Sequence, residues 1–461
     1  MAMTAGVLAL VLCVLCFAGF WLGRQEAVRI RSGGVQPHSL PSYYGSYVAL
    51  VCGIPASLAL LIWISAADSL VRQFVIAGLP DHLSALPEGD LALLLTDVRN
   101  MAYGRVPLNT ARPEIVGAVE HYLRLSEISR WLMWLVVLAL AIGGLLLGRR
   151  MVSAEFRARN AVEQILNILL IASSTVAVLT TIAIVLSLIF EALRFFAKVP
   201  ATEFLFGLTW SPQTALRAEQ VGASGAFGAV PLITGTMLIS VIAMLVAVPT
   251  GLMAAVYMSE FMPGRLRAVV KPVLEILAGI PTVVYGFFAA LTVAPLVRDA
   301  GMAIGLNVAS QSALAAGVVM GIMIIPFVSS LSDDVLNAVP NSLREGSYGL
   351  GATQAETIKL VLLPAALPGI VASVILAFSR ALGETMIVVM AAGLAANITI
   401  NPLDAVTTVT VHIAALLVGD QEFDSAKTLS AFALGLLLFV VTLTLNVIAQ
   451  RVVKKYREQY E

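Results

Sequence analysis

Nine apolar runs, each about 20 residues long and nearly free of charge, recur at about 3–23, 46–66, 131–148, 164–190, 229–257, 276–297, 307–332, 366–393 and 428–450. Backbone amides in hydrocarbon find no water, so each run must satisfy its own hydrogen bonds as a helix. The fold class that follows is an all-α polytopic membrane protein with about nine transmembrane helices. Pro55, Pro249 and Pro281 are expected to kink three of them. With 59% hydrophobic and 12% charged residues over 461 positions, a soluble protein could not cover its own surface. The formal net charge is zero, which points to neither nucleic acid nor an acidic partner. Cys13, Cys16 and Cys52 fit neither a disulfide framework nor a metal cluster and read as small core residues. The first run has no basic residue before it and exceeds the apolar stretch of a signal peptide, so it reads as a retained membrane helix.

Short connections rich in Lys and Arg orient the bundle. Arg24, Arg29 and Arg31, then Arg149, Arg150, Arg157 and Arg159, then Arg265, Arg267 and Lys271, then Arg451, Lys454, Lys455 and Arg457 all fall on one side of a nine-helix threading. That side is assigned to the cytoplasm, which puts the amino terminus outside and the carboxyl terminus inside. A seam near Asn160 divides the chain. Residues 1–160 form an N-terminal extension with three transmembrane helices and an extracytoplasmic segment, 67–130; residues 161–461 form a six-helix core. Within 67–130, Pro80, Pro87, Pro107 and Pro113 accompany an amphipathic stretch, Asp90–Met101, expected to be a short surface helix. A second outer segment, 394–427, is acidic, with Asp404, Asp420, Glu422 and Asp424.

The long polar interruption of the core on the cytoplasmic side, 333–364, reads DDVLNAVPNSLREGSYGLGATQAETIKLVLLP. Ser342 with Glu345, and Thr353 with Glu356, have the spacing of capping boxes, in which a hydroxyl and a carboxylate satisfy backbone N–H groups reciprocally. Gly351 between them suits a left-handed helix terminus. Two short helices joined at a sharp bend are expected. The second, Gln354–Leu362, leads into the membrane segment after Pro364. Gly346 to Gly351 has the spacing of a phosphate-binding loop, but Ala352 and Thr353 stand where Lys and Ser or Thr are needed, so the chain has no nucleotide site of its own.

Glu345, Gly346 and Ser347, followed by Gly351 and by Val361-Leu362-Leu363-Pro364, resemble the EAA signature of ATP-binding-cassette importer permeases. Gly346 and Ser347 replace two alanines of the pattern, and Val361 replaces its usual isoleucine. The resemblance implies a type I importer core whose bend, comprising Ser342, Glu345, Gly346, Ser347, Gly351, Thr353, Glu356 and Pro364, docks in a cleft of an ATPase subunit. It also implies that the chain is not an enzyme. ATP would be bound by a partner, with no cofactor or metal here.

The eighth run carries Ser379-Arg380-Ala381-Leu382-Gly383-Glu384-Thr385. If this helix is continuous, Arg380 lies past the midplane and Glu384 one turn further on the same face. Charges at such depth face a cavity or each other. Read as structure, the pair pins one helix to its neighbours. Read as function, Arg380 offers a planar cationic fork to an oxyanion, and Glu384 holds that fork in place. Glu191 and Glu275 are shallow anchors, His412 reads as a surface residue, and Asn446 is expected to bond across helices.

The Arg380–Thr385 run, with LAGIPTVVYG, MIIPFVSSLSDDVL and SGAFGAVPLITGT, is similar to phosphate-specific permeases of the PstC type over about 165–455. That resemblance implies passage of phosphate past Arg380 and Glu384. Its implied partners are a homologous PstA-type permease, two PstB-type ATP-binding subunits, a periplasmic PstS-type phosphate-binding protein and lipid of the bacterial inner membrane. Two alternatives stay open: a permease for sulfate, molybdate or phosphonate, and an ion-coupled secondary transporter, which lacks the expected inverted repeat. A membrane enzyme lacks any paired-histidine or nucleophile motif.

Overall fold

The computed structural model describes residues 2–80, 87–106, 113–212, 225–418 and 424–457; Pro107, Ser224, Asp420 and Glu422 lie outside the described residues. Among the described residues, nine helices are long and apolar enough to cross a membrane. The chain divides into two compact units, Met1–Leu179 and Thr180–Glu461. The division lies beyond the seam near Asn160, inside a helix that runs unbroken from Ala158 to Phe196.

In the first unit, α1 (Ala2–Ser32), α2 (Pro41–Ala77) and α4 (Pro113–Arg150) pack through Leu8, Leu12, Cys52, Ala56, Leu60, Met133 and Val137. Each outlasts its apolar run, because the flanking Glu, Gln and Arg residues are themselves good helix formers. Cys52 is buried, but Cys13 is exposed, one step of about 100° around α1 from the buried Leu12. The amphipathic stretch forms α3 (Glu88–Ala102), whose Leu91, Leu94 and Val98 pack on Leu79 and Val119.

The long helix is α5 (Ala158–Phe196), followed by α6 (Ala201–Phe206) and a two-residue antiparallel pairing of β1 (Trp210–Ser211) with β2 (Ala226–Phe227). Then come α7 (Val230–Val256), α8 (Gly264–Ala278), α9 (Thr282–Phe288), α10 (Ala294–Ala303) and α11 (Ala313–Ala338). The chain continues with α12 (Asn341–Gly349), α13 (Gln354–Thr357), α14 (Leu363–Leu382), α15 (Met386–Ala391), α16 (Val409–Leu416) and α17 (Ala426–Arg457). The second unit's main core joins Ile239 and Ala243 of α7, Val319, Met320, Ile324 and Val328 of α11, Ala377 and Ala381 of α14, and Ile387 and Val388 of α15. The α7 and α11 backbones approach so closely that a Cβ on Gly321 would lie 2.8 Å from the Ala243 carbonyl oxygen.

Two π turns lie within continuous helices, at Ala289–Val293 and Ile358–Leu362, and a third, Tyr257–Phe261, ends α7. Each is followed two residues later by a proline, Pro263, Pro295 or Pro364. Pro295 and Pro364 have no N–H to offer the carbonyl four residues back, and the wider turn accommodates the missing donor, whereas Pro263 follows the extended Met262 and caps α8.

Four expectations are corrected. Pro281 does not kink the sixth span; it caps the start of α9, and the preceding α8 is a separate helix with no buried residue, which carries Glu275. The eighth span is not 366–393 but Gln354–Leu382, because Gly383 ends the helix. The polar interruption begins near Val339 rather than Asp333, since α11 runs on to Ala338. His412 is half-buried, not a surface residue: its ring centre lies 5.7 Å from that of Trp210, and its Nδ1 accepts from the Trp210 indole N–H at 3.1 Å.

Candidate functional site

Asp333 explains why α11 outlasts its apolar run. Its side chain is 0% exposed, yet both oxygens accept from Arg267 at 2.9 and 3.0 Å, and Oδ2 accepts from Lys271 at 2.9 Å. The hydrogen bonds that Lys271 donates to Asp334 and then to Asp333 hold its ammonium above its ordinary range. A buried carboxylate is tolerated where it is paired and hydrogen-bonded in this way.

Beyond Val339 the chain makes the expected bend. Pro340 stands at the N-cap of α12, which begins at Asn341, so Ser342 is already inside the helix and forms no capping box with Glu345. The other box is present: Thr353 Oγ1 accepts from Glu356 N at 3.4 Å, and the Glu356 carboxylate accepts from Thr353 N at 2.8 Å. Gly351 has φ +86°, the left-handed conformation that lets the chain reverse after Gly349. Across the bend, the buried hydroxyls of Ser347 and Thr357 share a hydrogen bond at 2.9 Å. Ser347, a departure from the EAA alanine, thus fixes the two helices to each other. Glu345, Gly346, Tyr348 and Leu350 point outward, with Leu350 92% exposed. A rigid bend with an exposed apolar tip suits docking against another protein.

α13, the π turn after it and α14 form one apolar helix of 29 residues, about 43 Å long at 1.5 Å per residue. Pro364 lies within this run, and Arg380 sits two residues before its end. The Arg380 guanidinium is exposed and lies 5.7 Å from the centre of the Phe327 ring. It is not paired with Glu384 as a continuous helix would require, because Gly383 breaks the register. Glu384 instead lies just before α15, beyond its N-cap Thr385, with its Oε1 accepting from Met386 N at 3.1 Å. Behind the break, Thr410 donates to the Glu384 carbonyl oxygen at 2.9 Å, and Thr236 of α7 accepts from Val409 N at 3.1 Å. Among the described residues the guanidinium has no carboxylate partner, and the backbone beside it is held at Glu384 by Thr410, itself next to the Val409 that Thr236 fixes.

Arg344, Glu260, Thr357, Asp333 and Thr410 were not singled out from sequence. Arg344, next to Glu345, was the one with a local signal, a cation in a short helix otherwise rich in small residues. Asn446 Oδ1 is buried without a partner, contrary to the expected interhelical bond. Glu191 pairs with Arg194 at 2.8 Å, as an anchor would. Among the described residues, no group of three or more His, Cys, Asp and Glu could hold a metal ion.

Comparison with known proteins agrees with this architecture. Residues 9–111 match a family described as phosphate ATP-binding cassette transporter, and 247–458 match the binding-protein-dependent transport system inner membrane component. The chain is 33% identical over 273 residues to the probable ABC transporter permease protein YqgH of Bacillus subtilis, covering 59% of this chain and 84% of that one. It is 34% identical over 271 residues to the phosphate transport system permease protein PstC of Mesorhizobium japonicum, covering 54% and 76%. Identity to PstC 1 of Mycobacterium tuberculosis is 36% over 289 residues, covering 58% and 82%. The chain belongs to the PstC family of ABC importer permeases.

Proposed function

We propose that this chain is the phosphate-conducting permease subunit of an ATP-driven importer, in which Arg380 receives the anion and the bend at 341–357 receives the motor. The observation that carries this reading is continuity: the helix that begins in the bend at Gln354 holds Arg380 near its far end. A push on one end therefore turns the guanidinium at the other. Arg380 suits phosphate because its fork is planar, always charged and, among the described residues, unpaired with a carboxylate. The names of its PstC relatives support phosphate over sulfate or molybdate.

On this reading the chain pairs with a PstA-type permease, two PstB-type ATPases dock on the exposed bend, and a PstS-type protein delivers phosphate to the opposite side. ATP is bound by those ATPases, and this chain carries no cofactor. The bend and the carboxyl terminus lie in the cytoplasm of a bacterial cell and the amino terminus lies outside, following the Lys and Arg distribution. Residues 1–160 add three helices to the 161–461 core.

The test is uptake of labelled phosphate into proteoliposomes holding the assembled complex, with sulfate and molybdate as competitors. Neither competitor should reduce uptake, and Arg380→Gln should lower it at least about tenfold with subunit composition unchanged. Undiminished uptake by Arg380→Gln removes the arginine from the pathway. Uptake by this chain without ATPase subunits, driven by a proton or sodium gradient, overturns the whole reading.

A further inference from the structure

Arg344 and Glu260 tie four elements into one knot. The Arg344 side chain is 15% exposed and that of Glu260 7%, and Arg344 Nη2 donates to Glu260 Oε1 at 3.0 Å. The same guanidinium donates to the Leu336 carbonyl at 2.8 Å, the Val339 carbonyl at 2.9 Å and Asn341 Oδ1 at 3.1 Å. Glu260 also accepts from Ser259 Oγ at 3.1 Å, and its backbone carbonyl accepts from Gln354 Nε2 at 2.7 Å. Arg344 belongs to α12, Leu336 closes α11, Gln354 opens α13, and Glu260 lies in the π turn that ends α7.

We infer that Arg344 and Glu260 form a transmission strut, which makes α7 turn together with the bend instead of being left behind by it. The inference rests on the docking role proposed above. Without the strut, the bend is joined covalently to α11 and α14 only. With it, a third membrane helix is driven by the same input. The linkage is stiff for two reasons. A guanidinium fork with four acceptors has one orientation, and a nearly buried ion pair is not loosened by water as a surface pair is. The coupled helices also cannot slip, since Gly251 of α7 abuts Val328 of α11, and Gly317 and Gly321 of α11 abut Ile242 and Val246 of α7. α7, α11 and the bend therefore turn as one body, and α7 carries Thr236, which holds the segment behind Glu384. The strut thus gives the motor a second route to the neighbourhood of Arg380. Both residues act through others and are positioning residues.

The experiment uses the complete importer with its ATPase and binding-protein subunits in proteoliposomes. Glu260→Gln keeps the shape and removes the charge; Arg344→Lys keeps the charge and removes the fork. Each should co-purify normally with the ATPase and retain its basal ATP hydrolysis, while phosphate moved per ATP falls about tenfold. Glu260→Asp should restore part of that ratio. A wild-type ratio in both variants overturns the strut. Should Glu260→Gln fail to accumulate, the exposed Gln354→Ala tests the same link with Arg344→Lys, and a wild-type ratio in both again overturns it. The docking role is read separately from Leu350→Asp at the exposed tip. Retention of the ATPase by Leu350→Asp refutes docking; release by Leu350→Asp with a wild-type ratio in the strut variants refutes the strut alone.

Discussion

The Glu384 carboxylate and the Met386 backbone nitrogen, 3.1 Å apart, make Glu384 a side-chain cap of α15 and not the counter-ion of Arg380. The anionic side chain lies where the first turn of a helix gathers unsatisfied N–H groups. The guanidinium lies over the Phe327 ring, and among the described residues it makes no ion pair with Glu384.

A cap needs an acceptor oxygen more than it needs a charge. Glu384→Gln is expected to retain most phosphate uptake, whereas Glu384→Ala should lose about 1 kcal/mol of stability and uptake with it. Initial uptake rates and the thermal midpoint of the detergent-solubilised complex check this. Equal loss in both variants would return Glu384 to a charge-dependent role.

Asp333→Ala should be among the most damaging single changes in the second unit. It removes the acceptor that Arg267 and Lys271 share, while their side chains, 28% and 27% exposed, regain water, a loss of about 1.5–3 kcal/mol for charge-assisted hydrogen bonds. Thermal unfolding followed by circular dichroism reads the loss, and Asp334→Ala, at a side chain that is itself 62% exposed, serves as the mild control.

Gly351 has open space around it, so substitution there tests backbone conformation and nothing else. At φ +86° an alanine costs about 1–2 kcal/mol. Gly351→Ala should weaken ATPase retention during purification while leaving the membrane helices as stable as before. An unchanged complex would mean that the bend tolerates a different reversal.

Burial pushes His412 down to about 4, and the nearby Leu394 backbone opposes this only in part, since Nε2 finds no partner at hydrogen-bonding geometry. The folded state therefore favours neutral imidazole, with Nδ1 accepting from Trp210. The stability this contributes is fully present above pH 6.5. It is lost as pH falls from 6.5 towards 4, where the unfolded chain binds a proton that the folded chain refuses. Up to about 3 kcal/mol is at stake over that window. The thermal midpoint of wild-type protein should fall more steeply with acid than that of His412→Phe; parallel profiles would show that His412 does not titrate in this window.

What could be read from sequence was local or imposed by lipid. The nine apolar helices follow from the runs themselves. Gly351 and the Thr353–Glu356 cap follow from residues within five positions of one another. The end of α14 did not, because Ala381-Leu382 reads as helix interior, and Gly383 can break a span or sit within it. The Ser342–Glu345 box failed because Pro340, with φ fixed and no N–H to place, had already started α12 at Asn341. Asp333 looked like the start of a solvated loop because its cations lie 62 and 66 residues upstream. Glu260 and Arg344, 84 residues apart, are likewise neighbours only through the packing of α7 on α11.

Each wide turn before Pro263, Pro295 and Pro364 holds one residue more than its neighbours need. Pro295 and Pro364 thus sit inside unbroken spans without splitting them, so what is forfeited at those points is one rung and not the helix.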